Sequence, residues 1–411
     1  MTEYYDELEI RDPGAREAAL MAALPDAVAN AKTNAPGFTK ILGDITPGEI
    51  TTREALARLP VTRKSDLIEM QAAQPPFGGL TTIPAGEMAR LYVSPGPIAD
   101  PEGRGADWWR FARALFAAGF RKGDIVQNCF SYHFTPAGAM FESAAHALGC
   151  AVCAGGVGQT EMQVQAIAHF GASGYAGTPD FLKIILDKAR EMGTPLPTLK
   201  RALVSGGALL PPLRKEVRDQ GINVLQCYGS ADLGLIAYES DAMEGMILDE
   251  GIIVEILRPG TGDPVPDGEV GEVVVTTLNR DYPLIRFATG DLSAIMAGVS
   301  PCGRTAPRIK GWMGRADQTT KIRGMFVHPA QIDRVVKRHP EISRARLVVG
   351  SVDGKDSAEF FCEAENSDES LAKRISDSIQ AEIKVRAEVR IVTKDKILKD
   401  GVVIEDTRKY D

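Results

Sequence analysis

The central part of the sequence alternates between short apolar stretches and amphipathic stretches, and this alternation restricts the folds open to the chain. KGDIVQNCF (122–130), CAVCAGG (150–156) and RALVSGGA (201–208) predict buried strands. FTPAGAMFESAAHALG (134–149) and FLKIILDKAREMG (181–193), which lie between them, predict helices. Strands that alternate with helices at this spacing are typical of crossover units, so a parallel sheet covered by helices is expected.

The regions before and after this alternation have different patterns. Residues 14–34 show a helical period interrupted by Pro25, and TTREALARLP (51–60) opens with a threonine cap, so short helices are expected there. DWWRFARALFAAGF (107–120) predicts one amphipathic helix. From residue 245, MILDEGIIVEIL and EVVVTT predict strands without intervening helices.

The C-terminal region predicts a separate α+β unit, because helices and strands alternate again after the polar link GWMGRAD (311–317). We expect a large domain over residues 1–313, with a β-rich subdomain at about 245–310, and a small cap domain over 314–411. The predicted fold class is α/β: helix-covered, largely parallel sheets in the large domain and an α+β cap.

Composition narrows the class of partner. The 411 residues exceed what one hydrophobic core usually serves. A net charge of −8 leaves no overall basic field, so neither nucleic acid nor an anionic membrane is an expected partner. A local basic pocket for a phosphorylated small molecule is compatible with this charge.

The cysteines and the N-terminus predict a cytoplasmic protein. The six cysteines form no dense framework, and no stretch has the pattern of a signal peptide or of a membrane span of about 20 apolar residues. Cys150 and Cys153 allow a redox pair or half of a metal site, but buried structural thiols are the favoured interpretation.

Seven stretches, taken together in their order and spacing, resemble the adenylate-forming superfamily and specifically its phenylacetate-CoA ligase-like branch. The resemblance implies an acyl-CoA synthetase-like fold, with ATP or AMP, magnesium and coenzyme A as cofactors and a carboxylic acid as substrate. Such enzymes join the acid to AMP with loss of pyrophosphate, and the thiol of coenzyme A then displaces AMP. The stretches are LARLPVTRKSDL (56–67), RKGDIVQNCFSYHFT (121–135), GTPDFL (177–182), SGGALLPP (205–212), QCYGSADLG (226–234), LNRDYPLIRFATGD (278–291) and GRADQTTKIRGMFVHPAQID (314–333).

The resemblance implies an adenosine site around Tyr228 and Asp291. Tyr228 would stack on adenine, and both oxygens of Asp291 would accept from the ribose hydroxyls. A core aromatic and a turn-capping carboxylate are the alternative interpretations of these two residues. The resemblance assigns six further residues to the same site: Gly206, Gly207, Ala208, Gly229, Ser230 and Arg286.

Three residues would take part in catalysis or domain rotation. Asp232 lies where the family usually has glutamate, and its shorter carboxylate is either a magnesium ligand or a structural group. Arg315 resembles a phosphate- or ribose-contacting arginine, and Asp317 resembles the hinge aspartate about which the cap would rotate. A surface salt bridge in a linker is the alternative for this pair.

The resemblance also implies sites for coenzyme A and for the acid. RGMFVHP (323–329) matches the loop that lines the pantetheine tunnel, and it supplies Gly324, Val327 and Pro329. The acyl pocket would be lined by Tyr132, His133 and Phe134, which suit an aryl or arylacetic acid. A packed, hydrogen-bonded histidine is the alternative for His133.

The sequence departs from the family at the phosphate loop, which should read Ser/Thr-Ser/Thr-Gly-Thr-Thr-Gly-x-Pro. The corresponding VSPGPIADPEG (93–103) is expected to be a turn-rich loop and keeps only Ser94 and Gly96. Prolines cannot donate and acids repel phosphate, so the loop is expected to hold polyphosphate weakly. Arg104 and Lys122 are the candidates for compensating charge. The replacements are Pro95, Pro97, Asp100, Pro101 and Glu102.

A second departure removes a lysine that serves adenylation in the family. Val402 follows Gly401 where the family has a Gly-Lys pair. Losing one such donor costs about 3 to 4 kcal/mol, a factor of about a hundred to a thousand in rate. Lys396 and Lys399 are the nearest candidates to replace it.

A third departure removes a cysteine-containing metal site. Many relatives have a Cys/His cluster, but this chain has Ser240, Ile247 and Ser300 beside a lone Cys302, so no zinc site is expected. The leading hypothesis is an AMP-forming acid-CoA ligase for an aromatic or arylacetic acid, with weakened adenylation, and the resemblance implies a homodimer. The alternatives are a transferase or hydrolase acting on acyl-CoA or acyl-adenylate, and a nucleotide- or acyl-CoA-binding protein without catalysis.

Overall fold

The chain forms two compact units. A computed structural model describes residues 3–94, 97–259, 261–316, 318, 320–327, 329–352, 355–364, 369–394, 396–397 and 402–408. The first unit comprises Met1–Leu209 and Arg214–Trp312, and the second comprises Leu210–Leu213 and Met313–Asp411. The domain boundary between residues 313 and 314 stays a prediction.

Helices and strands alternate in the central part of the chain, between a helical N-terminal region and a run of strands over residues 223–327. The helices are α1 (Pro13–Asn34), α2 (Pro36–Leu42), α3 (Arg53–Ala57), α4 (Leu67–Ala73), α5 (Ala112–Ala117), α6 (Ala137–Ala147), α7 (Thr160–Phe170), α8 (Pro179–Glu191), α9 (Pro211–Asp219), α10 (Pro329–Arg338) and α11 (Glu369–Ile383). The strands are β1 (Thr62–Arg63), β2 (Arg90–Ser94), β3 (Ile98–Glu102), β4 (Ile125–Asn128), β5 (Ala151–Ala154), β6 (Gly174–Gly177), β7 (Arg201–Val204), β8 (Asn223–Ser230), β9 (Gly234–Tyr238), β10 (Met246–Leu248), β11 (Ile252–Leu257), β12 (Gly271–Thr277), β13 (Phe287–Ser293), β14 (Ile295–Met296), β15 (Arg308–Ile309), β16 (Thr320–Ile322), β17 (Met325–Val327), β18 (Ile342–Val352), β19 (Lys355–Ala364), β20 (Glu388–Val392) and β21 (Ile404–Asp406).

The largest sheet has nine strands in the order β14-β15-β10-β9-β8-β7-β6-β4-β5. Strands β5, β4, β6, β7 and β8 are parallel neighbours, which confirms the crossover pattern expected from the sequence. Pairing changes to antiparallel between β8 and β9, where Tyr228 lies opposite Ala237. The carboxyl ends of the parallel strands therefore open next to a change in strand direction.

A second sheet of the first unit has the order β1-β13-β12-β11. The predicted β-rich region contributes to both sheets, because MILDEGIIVEIL divides into β10 and β11. The division falls at a turn in which Asp249 Oδ2 accepts from the backbone N–H of Gly251 at 3.1 Å. Strand β1, which precedes the crossover region, pairs in parallel with β13 and completes this sheet.

The N-terminal helix is longer than expected. We predicted an interruption at Pro25, but α1 continues through it. A proline inside a helix costs about 3 kcal/mol or more. Leu20, Leu24 and Val28 lie buried along one face of α1, and packing of this face holds the helix through the proline.

The helix predicted over residues 107–120 is shorter than expected. Residues 107–111 instead form a turn in which Asp107 (φ 48°) and Arg110 (φ 68°) have left-handed backbone conformations. Asp107 Oδ2 accepts from the N–H of Ala112 at 2.9 Å, which fixes the start of α5. The turn buries Trp109 almost completely, and this burial outweighs the helical pattern of the stretch.

The stretch expected to be a turn-rich loop is a two-stranded hairpin, β2–β3. Leu91 pairs with Pro101, so the proline lies within a strand. Proline is tolerated there because a two-stranded ribbon has free edges. Gln71 of α4 anchors the hairpin, donating to the carbonyl of Ala99 at 2.9 Å and accepting from its N–H at 2.8 Å.

The second unit has its own core between a sheet and two helices. Its main sheet has the order β20-β19-β18-β21, and β16 and β17 form a separate hairpin. Helices α10 and α11 and strands β18, β19 and β20 confirm the elements expected from the sequence. Phe360, Val335 and Ile375 are fully buried in this core. In the described part of the chain, no helix combines the length and the apolar character needed to cross a membrane.

Candidate functional site

The candidate site lies at the carboxyl ends of the parallel strands, where α/β proteins bind ligands. Gly206, Gly207 and Ala208 follow β7 directly. Ser205 begins their turn: its N–H donates to the carbonyl of Gly177 at 3.1 Å and its hydroxyl donates to that of Cys227 at 2.9 Å. Among the described residues, a Cβ added at Gly207 would meet only Pro179, at 3.7 Å, so a ligand has room to approach the backbone there.

Tyr228 and Asp291 lie together although 63 residues separate them. The Tyr228 hydroxyl donates to Asp291 Oδ2 at 2.8 Å and lies 3.3 Å from the Thr289 hydroxyl. Trp312 Nε1 donates to Asp291 Oδ1 at 2.9 Å. Both carboxylate oxygens therefore hold hydrogen bonds of the kind that two ribose hydroxyls would make.

The turn between β8 and β9 positions Asp232. A Cβ at Gly229 would lie 2.5 Å from the carbonyl oxygen of Gly234, so only glycine fits at this close approach. The Ser230 hydroxyl accepts from the N–H of Leu233 at 3.2 Å. Gly229 and Ser230 thus build the turn that carries Asp232, which is 3% exposed.

Asp232 forms an ion pair with Lys64. The Lys64 ammonium, which follows β1, donates to Asp232 Oδ2. Burial lowers the pKa of Lys64, but the charges of Asp232 and Asp100 more than offset it, and the pKa is raised. Sequence reasoning gave Lys64 no role, although it belongs to LARLPVTRKSDL, one of the stretches that resemble the family.

Asp100, on the hairpin that replaces the phosphate loop, lies close to this ion pair. Its side chain is fully buried. Burial and the negative charge of Asp232 raise its pKa to about 7, although the positive charge of Lys64 lowers it. Among the described residues, no group donates to either oxygen of Asp100, to Asp232 Oδ1 or to the buried hydroxyl oxygen of Tyr282.

The predicted phosphate contacts at the hairpin are only partly visible. The Ser94 hydroxyl donates to the carbonyl of Ile98 at 3.3 Å, within the hairpin itself. Gly96 lies outside the described residues. Neither candidate for compensating charge lies at this site: Arg104 donates to the carbonyls of Glu87 and Met88, at 3.0 and 3.3 Å.

Lys122 lies at the amino ends of the parallel strands, away from the candidate site. It precedes β4, and its side chain packs over Gly149, whereas the site lies beyond the carboxyl ends of the strands. Lys64 is therefore the ammonium that the fold brings to the position where the sequence pointed to Arg104 or Lys122. This corrects the expected source of positive charge.

Arg286, expected at the nucleotide, is a structural residue. It is 1% exposed, and its Nε and Nη2 donate to the two oxygens of Glu255, each at 3.0 Å. The remaining donors bind the carbonyls of Ala57, Leu59 and Gly262 at 2.7, 2.6 and 2.8 Å. All five donors are used, so the guanidinium fastens the second sheet to the segment before Lys64 and leaves none for a ligand.

Comparisons with known proteins identify the family. Residues 108–279 match the AMP-binding enzyme family, and residues 324–402 match the AMP-binding enzyme C-terminal domain. A phenylacetate-coenzyme A ligase from Thermus thermophilus is 30% identical over 407 residues, covering 94% of this chain and 89% of that protein. The chain belongs to the phenylacetate-CoA ligase-like branch of the AMP-binding enzymes.

Other members of the family agree with this placement. A phenylacetate-coenzyme A ligase from Pseudomonas putida is 31% identical over 358 residues, covering 82% of this chain and 80% of that protein. A solved structure of 2-hydroxyisobutyryl-CoA ligase in complex with 2-HIB-AMP and CoA has a TM-score of 0.82 at 26% identity, covering 98% of this chain and 92% of that one. The expected acyl-CoA synthetase-like fold is therefore confirmed.

In this AMP-binding enzyme, Tyr132 lines a small cavity beside the hairpin. Its hydroxyl accepts from Asn128 Nδ2 and donates to Glu142 Oε2, both at 2.8 Å. Burial, followed by the hydrogen bond to Glu142, raises the pKa of Tyr132. The cavity, of about 120 Å3, is lined by Arg90, Tyr92, Tyr132, Thr135, Ala139 and Glu142.

The other two residues expected in the acyl pocket of this AMP-binding enzyme lie on the surface. Phe134 is 65% exposed and has a left-handed backbone conformation (φ 62°). His133 is exposed, and its ring packs edge-on against Phe134 with ring centres 4.6 Å apart. The structure therefore places Tyr132 at the cavity and does not place His133 or Phe134 there, because their turn directs both side chains outward.

The residues expected to contact coenzyme A lie in the second unit. Gly324 (φ 84°) forms the turn between β16 and β17, and no atom of a described residue lies within 4 Å of an added Cβ. The Val327 side chain is fully buried in the core of the unit, and Pro329 begins α10. Arg315 precedes these elements, and Asp317 lies outside the described residues. Val327 therefore has only its backbone to offer a ligand.

The C-terminal replacement of the family lysine lies beside an arginine. The carbonyl of Val402 accepts from Arg346 Nε at 3.1 Å. Lys396 is exposed, and Lys399 and Gly401 lie outside the described residues. All six cysteines are free thiols. Within the described ranges, no three histidine, cysteine, aspartate or glutamate side chains are grouped to hold a metal ion.

Proposed function

We propose that the chain is an AMP-forming acid-CoA ligase that activates an aromatic or arylacetic carboxylic acid through an acyl-adenylate. The observation that carries the proposal is the hydrogen bond between Tyr228 and Asp291 beside the glycine turn after β7. An aromatic ring, a carboxylate and an accessible backbone are the groups that an adenosine moiety requires. Family membership supplies the reaction type.

The adenosine site explains how the two half-reactions share one nucleotide. Asp291 would accept from the ribose hydroxyls in place of Tyr228 and Trp312, exchanging charge-assisted hydrogen bonds for others of the same type. Tyr228, released from Asp291, would then stack on the purine. Fixing AMP in this way keeps the acyl-phosphate carbon in one place while the leaving group changes from pyrophosphate to AMP.

Magnesium fits the carboxylates at the hairpin end of the site. Asp232 has an unpartnered buried oxygen, and Asp100 has two, within the described part of the chain. Magnesium prefers such oxygens and usually keeps several waters, binding through one or two carboxylates together with substrate phosphates. When bound, the ion would neutralise charge on the leaving pyrophosphate.

The proposed acid is aromatic for two reasons. The relatives from Thermus thermophilus and Pseudomonas putida are phenylacetate-coenzyme A ligases. Tyr132 is held in one orientation by Asn128 and Glu142, so it offers a fixed aromatic face at the cavity. The cavity of about 120 Å3 is small and partly polar, which favours a compact acid over a long aliphatic one.

The hairpin supports a second candidate function. A buried Asp100 and an inward-bonded Ser94 occupy the region where the family binds polyphosphate. A protein that acts on a preformed acyl-adenylate or acyl-CoA, or that only binds these ligands, needs no such loop. Coenzyme A binding, homodimer formation and a cytoplasmic location stay predictions.

Exchange of labelled pyrophosphate into ATP, measured with a panel of aryl and arylacetic acids, tests the ligase directly. We expect exchange with at least one acid in wild-type protein and loss of exchange in Asp291→Asn. Asp187→Asn, on the exposed face of α8, is the control and should match wild type. AMP or acyl-CoA binding by calorimetry without exchange for any acid would replace the ligase by the second candidate.

A further inference from the structure

The hairpin that replaces the phosphate loop brings a carboxylate into the site. Asp100 is fully buried on β3, and it lies beside Asp232 and Lys64, which come from the β8–β9 turn and the segment after β1. Three distant parts of the sequence therefore meet at one small polar cluster. The cluster consists of two carboxylates and one ammonium group.

The charges of this cluster do not balance. Lys64 compensates one of the two carboxylates, and its hydrogen bond goes to Asp232 Oδ2 alone. Three carboxylate oxygens, two on Asp100 and one on Asp232, are buried without a donor among the described residues. Burying an uncompensated carboxylate is costly unless a cation or a donor accompanies it.

The same strand shows how a purely structural acid is satisfied. Glu102, two residues from Asp100, accepts from the Tyr92 hydroxyl at 2.7 Å and from Arg90 at 3.0 Å. Both acids are buried, but Glu102 has two partners from the chain and Asp100 has none in the described residues. The difference indicates that the partner of Asp100 comes from solution.

A third group without a partner lies against the cluster. The Tyr282 hydroxyl is buried and makes no hydrogen bond with any described group. Burial, followed by the negative charges of Asp232 and Asp100, raises the pKa of this hydroxyl, so it lies near both carboxylates. A hydroxyl here can donate to a carboxylate or to a water bound to a cation.

We propose that Asp100 and Asp232 together bind a divalent cation before the nucleotide arrives, and that this cation replaces the missing donors of the phosphate loop. The proposal rests on the proposed ligase function and assigns Asp100, an acid that the family loop lacks, as the second ligand. When both carboxylates are ionised, cation binding changes the net charge of the cluster from −1 to +1, so the hairpin attracts polyphosphate instead of repelling it.

Lys64 has a defined part in this arrangement. In the metal-free cluster its ammonium neutralises Asp232, and its side chain is 30% exposed, so it has a route towards solvent. A cation at Asp232 would compete with the ammonium for the same carboxylate. Removal of the ammonium is therefore expected to strengthen cation binding, the opposite of what a purely structural role predicts.

Binding of Mn2+ to the full chain without nucleotide, followed by electron paramagnetic resonance of the free ion, tests the proposal. We expect one Mn2+ site in wild type, displaced by Mg2+, and affinity lowered at least about tenfold in Asp100→Asn. Lys64→Met should raise the affinity about threefold or more. Glu102→Gln is the matched control on the same strand and should bind Mn2+ as wild type does.

Mn2+ affinity in Asp100→Asn equal to wild type, or no saturable Mn2+ binding in wild type, would overturn the proposal. Circular dichroism checks the fold of each variant, and Asp100→Ser repeats the test if Asp100→Asn is not soluble. AMP binding, measured separately, depends on Tyr228 and Asp291 and should be unchanged in Asp100→Asn and Lys64→Met. If wild type binds AMP and exchanges pyrophosphate but Asp100→Asn has wild-type Mn2+ affinity, only this inference fails. If wild type binds Mn2+ but neither binds AMP nor exchanges pyrophosphate, the ligase function fails instead.

Discussion

The two ends of the candidate nucleotide site differ in how closely they follow the family. At the ribose end, Tyr228 and Asp291 are joined by a hydrogen bond of 2.8 Å, and a glycine turn lies beside them. At the hairpin end, a buried acid and an ion pair replace a loop of donors. Under the proposed function, the chain keeps the residues assigned to adenosine and changes those assigned to polyphosphate.

This difference teaches that the two tasks of the site have separable requirements. Adenosine recognition depends on an aromatic face and a carboxylate, for which few other residue types substitute. Polyphosphate recognition needs only positive potential, which N–H groups, lysine or a metal ion can each supply. The hairpin end can therefore change its chemistry while the ribose end keeps its own.

The largest expected effect concerns Arg286, which immediately precedes β13, the strand that carries Asp291. Arg286→Met should lower the free energy of unfolding by about 3 to 5 kcal/mol, because it leaves Glu255 buried without its partner. Urea unfolding measures the loss, and Arg286→Met combined with Glu255→Leu should recover part of it. If Arg286→Met leaves the stability unchanged but weakens AMP binding, Arg286 contacts the nucleotide and the structural role is wrong.

The next largest effect is expected from restoring the family lysine at position 402, which serves adenylation in the family. Val402→Lys should raise pyrophosphate exchange by up to about a hundredfold, because one donor to a developing charge contributes about 3 kcal/mol or more. Val402→Met, which adds length without charge, is the control. No gain in exchange would show that the lysine position no longer contributes to adenylation in this chain.

Asp291→Asn should weaken AMP binding by about thirty- to a hundredfold, measured by calorimetry. The neutral amide accepts through one oxygen only, and hydrogen bonds to charged groups contribute about 1.5 to 3 kcal/mol each. Asp281→Asn, whose carboxylate lies 3.4 Å from Trp108 Nε1, serves as a control outside the pair. Unchanged AMP affinity in Asp291→Asn would mean that Asp291 does not bind the ribose.

Asp107 tests the effect of a buried carboxylate separately from that of a cation, because the charged side chains that act on it are Arg110 and Asp249. Burial raises its folded-state pKa from 3.8 to about 7, although the Ala112 N–H and Arg110 lower it. When the folded-state pKa of an acid is raised, the folded protein loses stability as pH rises from the unfolded-state pKa of that acid towards 7. Asp107→Asn should therefore be more stable than wild type by about 2 kcal/mol at pH 8.

The advantage of Asp107→Asn should largely disappear near pH 4, where the wild-type carboxyl is protonated in the folded state and about half protonated in the unfolded state. Thermal unfolding across this pH range measures the difference, with and without Mg2+. An advantage that is equal at pH 4 and pH 8 would mean that Asp107 does not carry the charge cost assigned to it.

The smallest expected effect is that of Trp312→Phe. Loss of the indole N–H removes the donor that holds Asp291 Oδ1 at 2.9 Å and that ribose must displace. AMP affinity should therefore rise by about threefold, since a net hydrogen bond contributes about 0.5 to 1.5 kcal/mol. Indole fluorescence of wild type should also change on AMP binding. Weaker AMP binding in Trp312→Phe would mean that the indole contacts the nucleotide itself.

The sequence predicted the features that depend on local pattern. Alternation of apolar and amphipathic stretches predicted the parallel strands and their helices, because the period of side-chain exposure is set by a few neighbouring residues. The motif stretches predicted the family, and they named Tyr228 and Asp291, which the structure brings together.

Tertiary structure decided which polar groups meet, because pairing depends on strand register and on which face of an element turns inward. It paired Arg286 with Glu255 and brought Asp100 and Lys64 to Asp232, and no local period encodes these contacts. It also made a hairpin of a proline-rich stretch and continued α1 through Pro25, since long-range packing outweighed local preference at both places.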